Sequence, residues 1–402
     1  MIILRRHIIN MIQKRIDLQQ AFSAEKMQMA VGKFYPSKTS RGALLYTIIS
    51  IASISITIIQ LSSSIIFIYL NIHVFDRFSE VFLFIMTQFA TICKLVNFVS
   101  HKKEILELEL ILEHPLFTTV SAEEEKILKR SLKNLRVVTT VYKFLSVLAV
   151  SLYGICPLID SDEKTPKYPL PGWFPFNADD YYWEVYIFEA VEISICAWFN
   201  SGLDQLLVIM MALGEAQFEV LKYRLTNVAA NMNEDAMNED LVQERLKKCI
   251  IHHELIIRFV ALTNSIFSKG TLVQFMSSVV VICLTGFQMV IISIRSVQFV
   301  ERIAFFYGMM VQISMYCWYG HALMDSSEKL TEACYMADWT RCSLKVKKSL
   351  LIIMERTKIS TMVKAGNIFP LNLPTLLTIF RSTYSCFTVI YRLYSENDIQ
   401  VK

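Results

Sequence analysis

Apolar residues along this chain gather into seven stretches, and each is long enough to cross a bilayer as a helix. A span needs about 20 such residues, because a helix rises about 1.5 Å per residue and the hydrocarbon core is about 30 Å thick. The stretches cover residues 43–70, 78–98, 137–159, 185–213, 272–294, 303–323 and 368–393. This pattern predicts an all-α membrane protein with seven transmembrane helices.

Four of the stretches also contain charged residues, which are costly inside a bilayer and usually face a bundle interior or water. These residues include Lys94, Lys143, Glu189, Glu192, Asp204 and Arg381. Glu189 and Glu192 are three positions apart and share a helix face. We expect this pair to make a polar contact within the bundle or to help solvate a path for ions.

The basic residues between the stretches are distributed very unevenly. If the N-terminus is cytoplasmic, the cytoplasmic segments hold 30 Lys and Arg residues and the outer segments hold 7. Cytoplasmic loops of membrane proteins carry such an excess. Arg5, Arg6 and His7 interrupt the first ten residues, which therefore do not resemble a secretory signal. The predicted topology has a cytoplasmic N-terminus and an outer C-terminus, which disfavours a G-protein-coupled receptor, whose N-terminus lies outside.

Composition agrees with a membrane protein. Apolar residues make up 54% of the chain and charged residues 19%, against about 25% charged residues in ordinary soluble domains. The formal net charge is only +4, and the sequence has no basic stripe with interleaved aromatic residues. We therefore expect lipid and not nucleic acid as a partner.

The sequence offers little catalytic or metal-binding chemistry. Of nine cysteines, six lie in predicted spans and three in cytoplasmic segments, so an extracellular disulfide framework is not expected. His252 and His253 are adjacent and point about 100° apart on a helix, which is poor geometry for one metal ion. Without a zinc spacing or a nucleophile–base set, we expect no metal, no cofactor and no enzyme activity.

Three segments outside the spans have features of their own. The outer loop 158–182 is acidic and rich in proline, which favours either a rigid lid or a connector anchored at the headgroups by Trp173. Segments 218–267 and 327–358 have apolar residues at helical spacing. These cytoplasmic helices are expected to bury their apolar faces against one another or against other subunits.

The order of these features resembles the insect odorant receptor family over essentially the whole chain. The resemblance rests on the topology, on the outer loop Tyr168–Phe176, on Tyr335–Trp339 with Leu350–Met354, and on Thr383–Val389 in the last span. Related gustatory receptors have Gln-Phe where this chain has Ile390-Tyr391. The short interruption at 231–240 is unlike the long insertion of the family's co-receptor, and it favours a tuning subunit.

The resemblance implies a ligand-gated, non-selective cation channel in the plasma membrane of sensory neuron dendrites. The channel would be a tetramer of tuning and co-receptor subunits that responds to a small volatile organic ligand. The implied organisation is a cytoplasmic N-terminal segment (1–41), six spans with their loops (42–323), cytoplasmic helices that form an intersubunit anchor (324–367), and a pore-lining last helix with an extracellular C-terminus (368–402).

An apolar odorant calls for an aromatic and aliphatic pocket with one or two polar groups. Gly154 leaves room for a ligand and Ser151 offers one hydrogen bond. The predicted odorant-binding residues are Phe82, Ile85, Met86, Val147, Val150, Ser151, Gly154, Val191, Ile195, Phe305, Phe306 and Met309. The alternative for each of them is helix packing or lipid contact.

Two further sets follow from the implied channel. The predicted pore and gate residues are Thr383, Phe387, Ile390 and Tyr391, at helical spacing, with packing on the fifth or sixth span as the alternative. The predicted anchor residues are Leu330, Cys334, Trp339, Leu350, Leu351 and Met354, with burial inside one subunit as the alternative. Arg381 would oppose cations in a homomeric pore, less so if only some subunits supply it or if it pairs with Glu189, Glu192 or Asp204.

Two other functions remain as alternatives. A gustatory receptor channel would differ in its ligands and in its dependence on the co-receptor. A secondary transporter would need internal repeats and broken helices at matched positions, and the sequence shows neither.

Overall fold

A computed structural model describes residues 14–36, 43–73, 75–160, 167–229, 239–340 and 342–401. Within these residues the structure is almost entirely helical. The helices are α1 (Ser23–Val31), α2 (Ala43–Leu70), α3 (Phe75–Ser100), α4 (Lys102–Leu112), α5 (Pro115–Thr118), α6 (Ala122–Asp160), α7 (Tyr182–Thr226), α8 (Glu239–Ile291), α9 (Val297–Met336), α10 (Leu344–Thr357) and α11 (Leu373–Val401). Short 3-10 turns at Leu18–Phe22 and Ala178–Tyr181 precede α1 and α7.

Two small antiparallel strand pairs complete the fold. Strand β1 (Lys14–Arg15) pairs with β2 (Thr119–Val120), and β3 (Lys364–Ala365) pairs with β4 (Phe369–Pro370).

Each of the seven predicted spans corresponds to one long helix. The first matches α2 at both ends, the fifth ends three residues early at Ile291, and the seventh begins at Leu373 because β3 and β4 occupy the residues before it. By length and composition alone, five helical segments among the described residues qualify as spans: Thr47–Leu70, Arg77–Ser100, Ala122–Ile159, Ala178–Thr226 and Glu239–Ile291. The fold is that of an all-α membrane protein.

Several helices are much longer than a bilayer requires. Helix α8 has 53 residues and α7 has 45, which at about 1.5 Å per residue is roughly 80 and 70 Å. The C-terminal part of α7 and the N-terminal part of α8 extend beyond the apolar spans and pack with α4, α5 and α10. We call this region the extension end of the bundle. The opposite end, which carries residues 167–181, is called the loop end.

Arg224 ties the extension end together. Its guanidinium donates to Glu124 (Nε to Oε1, 2.8 Å) at the start of α6 and to the carbonyl oxygens of Leu116 and Thr119. His252 lies beside it, 3.2 Å from Nη1, and its Nε2 is 3.0 Å from the side-chain oxygen of Gln217. His252 therefore belongs to a hydrogen-bond network among the described residues.

The segment before the first span packs into the core. Leu18, Phe22 and Met29 are buried, and Glu25 of α1 receives a hydrogen bond from Lys143 of α6 (Nζ to Oε1, 2.6 Å). Tyr35 donates to Glu109 of α4 (2.7 Å), and burial together with that carboxylate raises the pKa of Tyr35 well above its usual value. Lys143, a charge inside the third predicted span, thus has its partner in the N-terminal segment.

A buried ion pair and its hydrogen-bond donors join four helices of the bundle, α3, α6, α7 and α9. Lys94 of α3 donates to Asp204 of α7 (Nζ to Oδ1, 2.6 Å), and both side chains are almost completely buried. Tyr142 donates to the other oxygen of Asp204 at 2.8 Å, and Gln312 and Tyr316 of α9 donate to the same carboxylate. With so many donors, Asp204 is satisfied without Arg381, which is exposed on α11.

Arg302 lies elsewhere than expected. The sixth predicted span begins at residue 303, but α9 begins at Val297 and includes Arg302, which is only 4% exposed. Its guanidinium donates to Tyr153 (2.9 Å) and to Glu80, and Glu301 lies 3.8 Å away. The run of apolar residues that defines this span is interrupted by Arg302, so the predicted span starts after it. In the structure the acidic side chains beside Arg302 stabilise its buried charge.

Candidate ligand cavity and pore helix

A cavity of about 120 Å³ lies between α3, α6, α7 and α9, in the half of the bundle nearer the loop end. Each helix contributes side chains at spacings of three and four, so one face of each points inward. The lining residues are Phe84, Thr87, Gln88, Tyr142, Leu145, Ser146, Ala149, Val150, Tyr153, Leu170, Glu192, Ile193, Cys196, Ala197, Asn200, Ser201, Phe305, Gly308, Met309 and Gln312. The volume and the mixture of rings with a few polar groups suit a small organic molecule.

Three aromatic rings form the apolar wall of the cavity. Phe84 meets Tyr153 edge-on with ring centroids 5.2 Å apart, and Phe305 lies 5.8 Å from Tyr153. Gly308 adds open space, because a Cβ built there meets nothing within 4 Å.

Glu192 is the acidic group of the cavity wall. It is 1% exposed, and its Oε1 accepts a hydrogen bond from Nε2 of Gln88 at 3.0 Å. The side-chain amide oxygen (Oε1) of Gln88 is buried and has no hydrogen-bond partner among the described residues. The wall therefore places two acceptors side by side.

The loop 167–181 borders the cavity at the loop end through Leu170. Leu170 is buried, lines the cavity, and donates its backbone N–H to Oε2 of Glu189 at 3.0 Å. Ser63 of α2 donates to the carbonyl oxygen of Trp173 at 2.7 Å. Tyr168 donates to Asp179 at 3.1 Å, and burial with that carboxylate raises the pKa of Tyr168 well above its usual value. These contacts hold the loop against the bundle, which favours the rigid lid over the connector anchored at the headgroups by Trp173. Residues 161–166 lie outside the described part.

The predicted odorant-binding residues divide between this cavity and other surfaces. Val150, Phe305 and Met309 line the cavity. Val147 and Ser151 lie on the outer side of α6, along a separate groove of about 360 Å³, and Ile195 borders a groove of about 570 Å³ between α2, α3 and α7. The others, which line neither the cavity nor these grooves, are Phe82, Ile85, Met86, Gly154, Val191 and Phe306.

The floor of the cavity contacts the rest of the bundle through polar side chains. Tyr142 and Gln312 line the cavity and both donate to Asp204. Gln312 also accepts a hydrogen bond from Gln274 of α8 at 3.2 Å. Helix α8 in turn packs along α11, where Phe387 lies against Gly286. A continuous set of contacts thus joins the cavity to α11.

The predicted pore and gate residues lie mainly on the inner side of α11. Thr383 is buried, Phe387 packs toward α8, and Ile390 is half-buried on the same side. Tyr391 is exposed and stacks on Phe387, with ring centroids 6.2 Å apart. This inner side packs on the fifth span, as the alternative in the sequence allowed.

The outer side of α11 has a different character. Within about 100° of arc it carries four exposed polar side chains, Thr378, Arg381, Ser382 and Ser385. A polar strip on the surface of a membrane-spanning helix calls for water or protein beside it.

The predicted anchor residues also divide into two groups. Leu330, Cys334 and Leu350 are buried within the subunit, and Met354 is half-buried against the core. Leu351 is 64% exposed and Trp339 is 36% exposed. With Leu344 and Ile352, which are also exposed, Leu351 forms an apolar surface on α10 that we call the outer α10 face.

Sequence reasoning missed most of the polar residues at the site. Gln88, Tyr142, Asn200 and Gln312 line the cavity but carried no distinctive motif. The usable signal was Glu192, a carboxylate inside an apolar span, which marks the face of α7 that turns inward.

Comparison with known proteins identifies the family. A family model described as 7tm Odorant receptor matches residues 74–384. Odorant receptor 94a of Drosophila melanogaster is 24% identical over 322 residues, covering 78% of this chain and 81% of that protein. Odorant receptor 67c of the same species is 24% identical over 311 residues, covering 74% and 76%.

Solved structures agree at the level of the fold. The insect olfactory receptor OR5 from Machilis hrabei in complex with eugenol superposes with a TM-score of 0.83 at 14% identity, over 94% of this chain and all of that one. The structure of OR5 described without eugenol gives a TM-score of 0.79 at 14% identity, over 93% and 99%. The chain therefore belongs to the insect odorant receptor family, and it is a membrane receptor and not an enzyme.

Proposed function

We propose that this chain is the odorant-binding tuning subunit of a ligand-gated, non-selective cation channel, opened by a small volatile ligand in the cavity between α3, α6, α7 and α9. The observation that carries the proposal is the cavity itself, bordered by Leu170 and joined through Gln312 to α8. Membership of the odorant receptor family favours this function over the gustatory alternative.

The pore in this proposal runs along the outer side of α11. Thr378, Ser382 and Ser385 offer hydroxyl groups to permeating ions, and Phe387 couples α11 to α8 on the opposite side. The gate residues of the proposal remain Thr383, Phe387, Ile390 and Tyr391, which act from the inner side of α11: their packing toward α8 holds α11, and with it the pore on its outer side, in the closed position. A ligand opens such a pore only if it binds the open state more tightly than the closed one.

Arg381 on the polar strip favours a hetero-oligomer. Four arginines around one axis would repel cations at short range. We therefore propose a tetramer in which co-receptor subunits supply part of the ring, with the outer α10 face as an intersubunit contact. In this proposal the loop end faces outward, the N-terminus is cytoplasmic, and the channel lies in the plasma membrane of sensory neuron dendrites.

The decisive experiment is expression in cells with and without the family's co-receptor, with odorant-evoked current as the measurement. We expect odorant-evoked current in cells that express the co-receptor and none in cells that lack it. The current should persist when G-protein signalling is blocked. Loss of the current under that block would remove the channel proposal, and strong current without the co-receptor would remove the tuning-subunit assignment.

A further inference from the structure

Glu192 is the charged residue of the cavity wall that no basic side chain balances. Among the described lining residues there is no lysine, arginine or histidine. Among the described residues, the hydrogen-bond donor to the Glu192 carboxylate is the side-chain amide of Gln88. Burying a carboxylate away from water is unfavourable unless a cation or several donors compensate it.

The basic residues of the surrounding helices already have acidic partners. Lys94 is paired with Asp204, and Arg302 is bound to Tyr153 and Glu80 with Glu301 beside it. None of these contacts involves Glu192. Glu189, one turn nearer the loop end, is a second buried carboxylate, and its Oε1 lacks a hydrogen-bond partner among the described residues. This part of the bundle is therefore rich in acceptors and poor in donors.

We propose that the cavity selects small amines, with the protonated nitrogen paired to Glu192 and the hydrocarbon part against Phe84, Phe305 and Met309. This inference rests on the proposed function, because it names the ligand class of the same cavity. An ammonium group supplies a positive charge and several N–H donors where the wall has a carboxylate and a buried amide oxygen.

The apolar wall accommodates the remainder of such a ligand. The rings of Phe84 and Phe305 offer apolar surface, and an aromatic face also attracts a cation. An amine is volatile as the free base, so it can travel through air. It takes up a proton in neutral water, so in the cavity it carries the positive charge that pairs with the carboxylate of Glu192. The cavity of about 120 Å³ restricts the hydrocarbon part to a short chain or a single ring.

The test compares primary amines from propylamine to heptylamine with alcohols of the same chain lengths, using current in cells that express the chain with the co-receptor. We expect the best amine to be at least about tenfold more potent than its matched alcohol, since a hydrogen bond to a charged group is worth at least that factor. Equal potency of the two series would overturn the inference.

The matched variants are Glu192→Gln and Glu189→Gln, which keep the shape of the side chain and remove its charge. Glu192→Gln is expected to lower amine potency at least about tenfold and to leave alcohol potency within about threefold. Glu189→Gln, outside the cavity wall, should retain the amine preference. A preference that survives in Glu192→Gln contradicts the inference, and if that variant does not reach the surface, the wild-type ranking decides.

The outcomes separate this inference from the proposed function. If a broad odorant panel evokes no current with the co-receptor present, the proposed function fails. If other odorants open the channel and amines have no advantage over alcohols, only the ligand class is wrong.

Discussion

Gly308 is the residue at which one substitution changes the cavity most directly. It lines the cavity, and a Cβ added there meets no atom within 4 Å, so a larger side chain occupies ligand space without displacing the protein. Gly154 has the same open surroundings but lies outside the cavity lining. The two glycines therefore form a matched pair.

We predict that Gly308→Val lowers the potency of the largest agonist by about tenfold or more, with a smaller loss for the smallest agonist. The reason is that one or two methyl groups in an apolar pocket change binding by roughly this factor. Dose–response curves of evoked current provide the measurement. Gly154→Val is the control, and an equal loss in both variants would show that the cavity is not the ligand site.

At the scale of helices, α9 and the chain entering α11 approach each other closely. Gly320 of α9 faces Leu371, and a Cβ at Gly320 would lie closer to the carbonyl oxygen of Leu371 than atoms can approach. The adjoining turn contains Gly366 and Asn367, both with φ near +60°. The start of α11 is thus fixed by backbone contact with α9.

Gly320→Ala is therefore expected to force α9 and the start of α11 apart, with a loss of roughly 1–3 kcal/mol in stability. Thermal unfolding of the detergent-purified receptor, followed by fluorescence-detected size exclusion, measures the change. Gly308→Ala makes the same substitution in the same helix where space is open, and it should leave the unfolding temperature unchanged. Equal stability of the two variants would argue against the contact.

The spans were predictable because seven apolar stretches of sufficient length leave few other structures in a bilayer. The partners of the charges inside them were not. Lys94 and Asp204 are 110 residues apart, and no local pattern links two positions at that separation. The polar wall of the cavity was missed for the same reason, since Gln88 meets Glu192 across 104 residues.

The packed N-terminal segment had a signal that was not used. Leu18, Phe22 and Met29 follow one another at intervals of four and seven, which is typical of one helix face. The charged residues between them concealed this pattern. Lys143 and Glu25, 118 residues apart, show why such a segment is best recognised together with its partner helix.

On the scale of the whole molecule, the outer α10 face is the surface most suited to contact another subunit. Leu351 and Ile352 are 64% and 70% exposed, although their neighbour Leu350 is 3% exposed. Helix α10 therefore uses one side to complete its own subunit and presents apolar side chains on another. Exposed apolar patches of this kind usually mark interaction surfaces.

We predict that Leu351→Asp leaves the subunit folded but reduces its co-purification with the co-receptor, because a charge at a dry interface has to be desolvated. Lys345→Asp, at another exposed position of α10, serves as the control for the change in charge. Leu350→Asp should instead destabilise the subunit itself. Undiminished co-purification of Leu351→Asp would mean that this face does not lie between subunits.

The ion pair of Lys94 and Asp204 affects how the receptor is inserted into the membrane during translation. A lysine at the centre of a membrane helix costs about 2.5–3.5 kcal/mol during insertion, and Lys94, in the last two turns of α3, costs a part of that. Since 110 residues separate it from Asp204, α3 waits on the order of ten seconds of translation before its counter-ion emerges. During that interval the nascent chain is exposed to quality control, so yield in a foreign cell will depend on how quickly the fourth span follows the second.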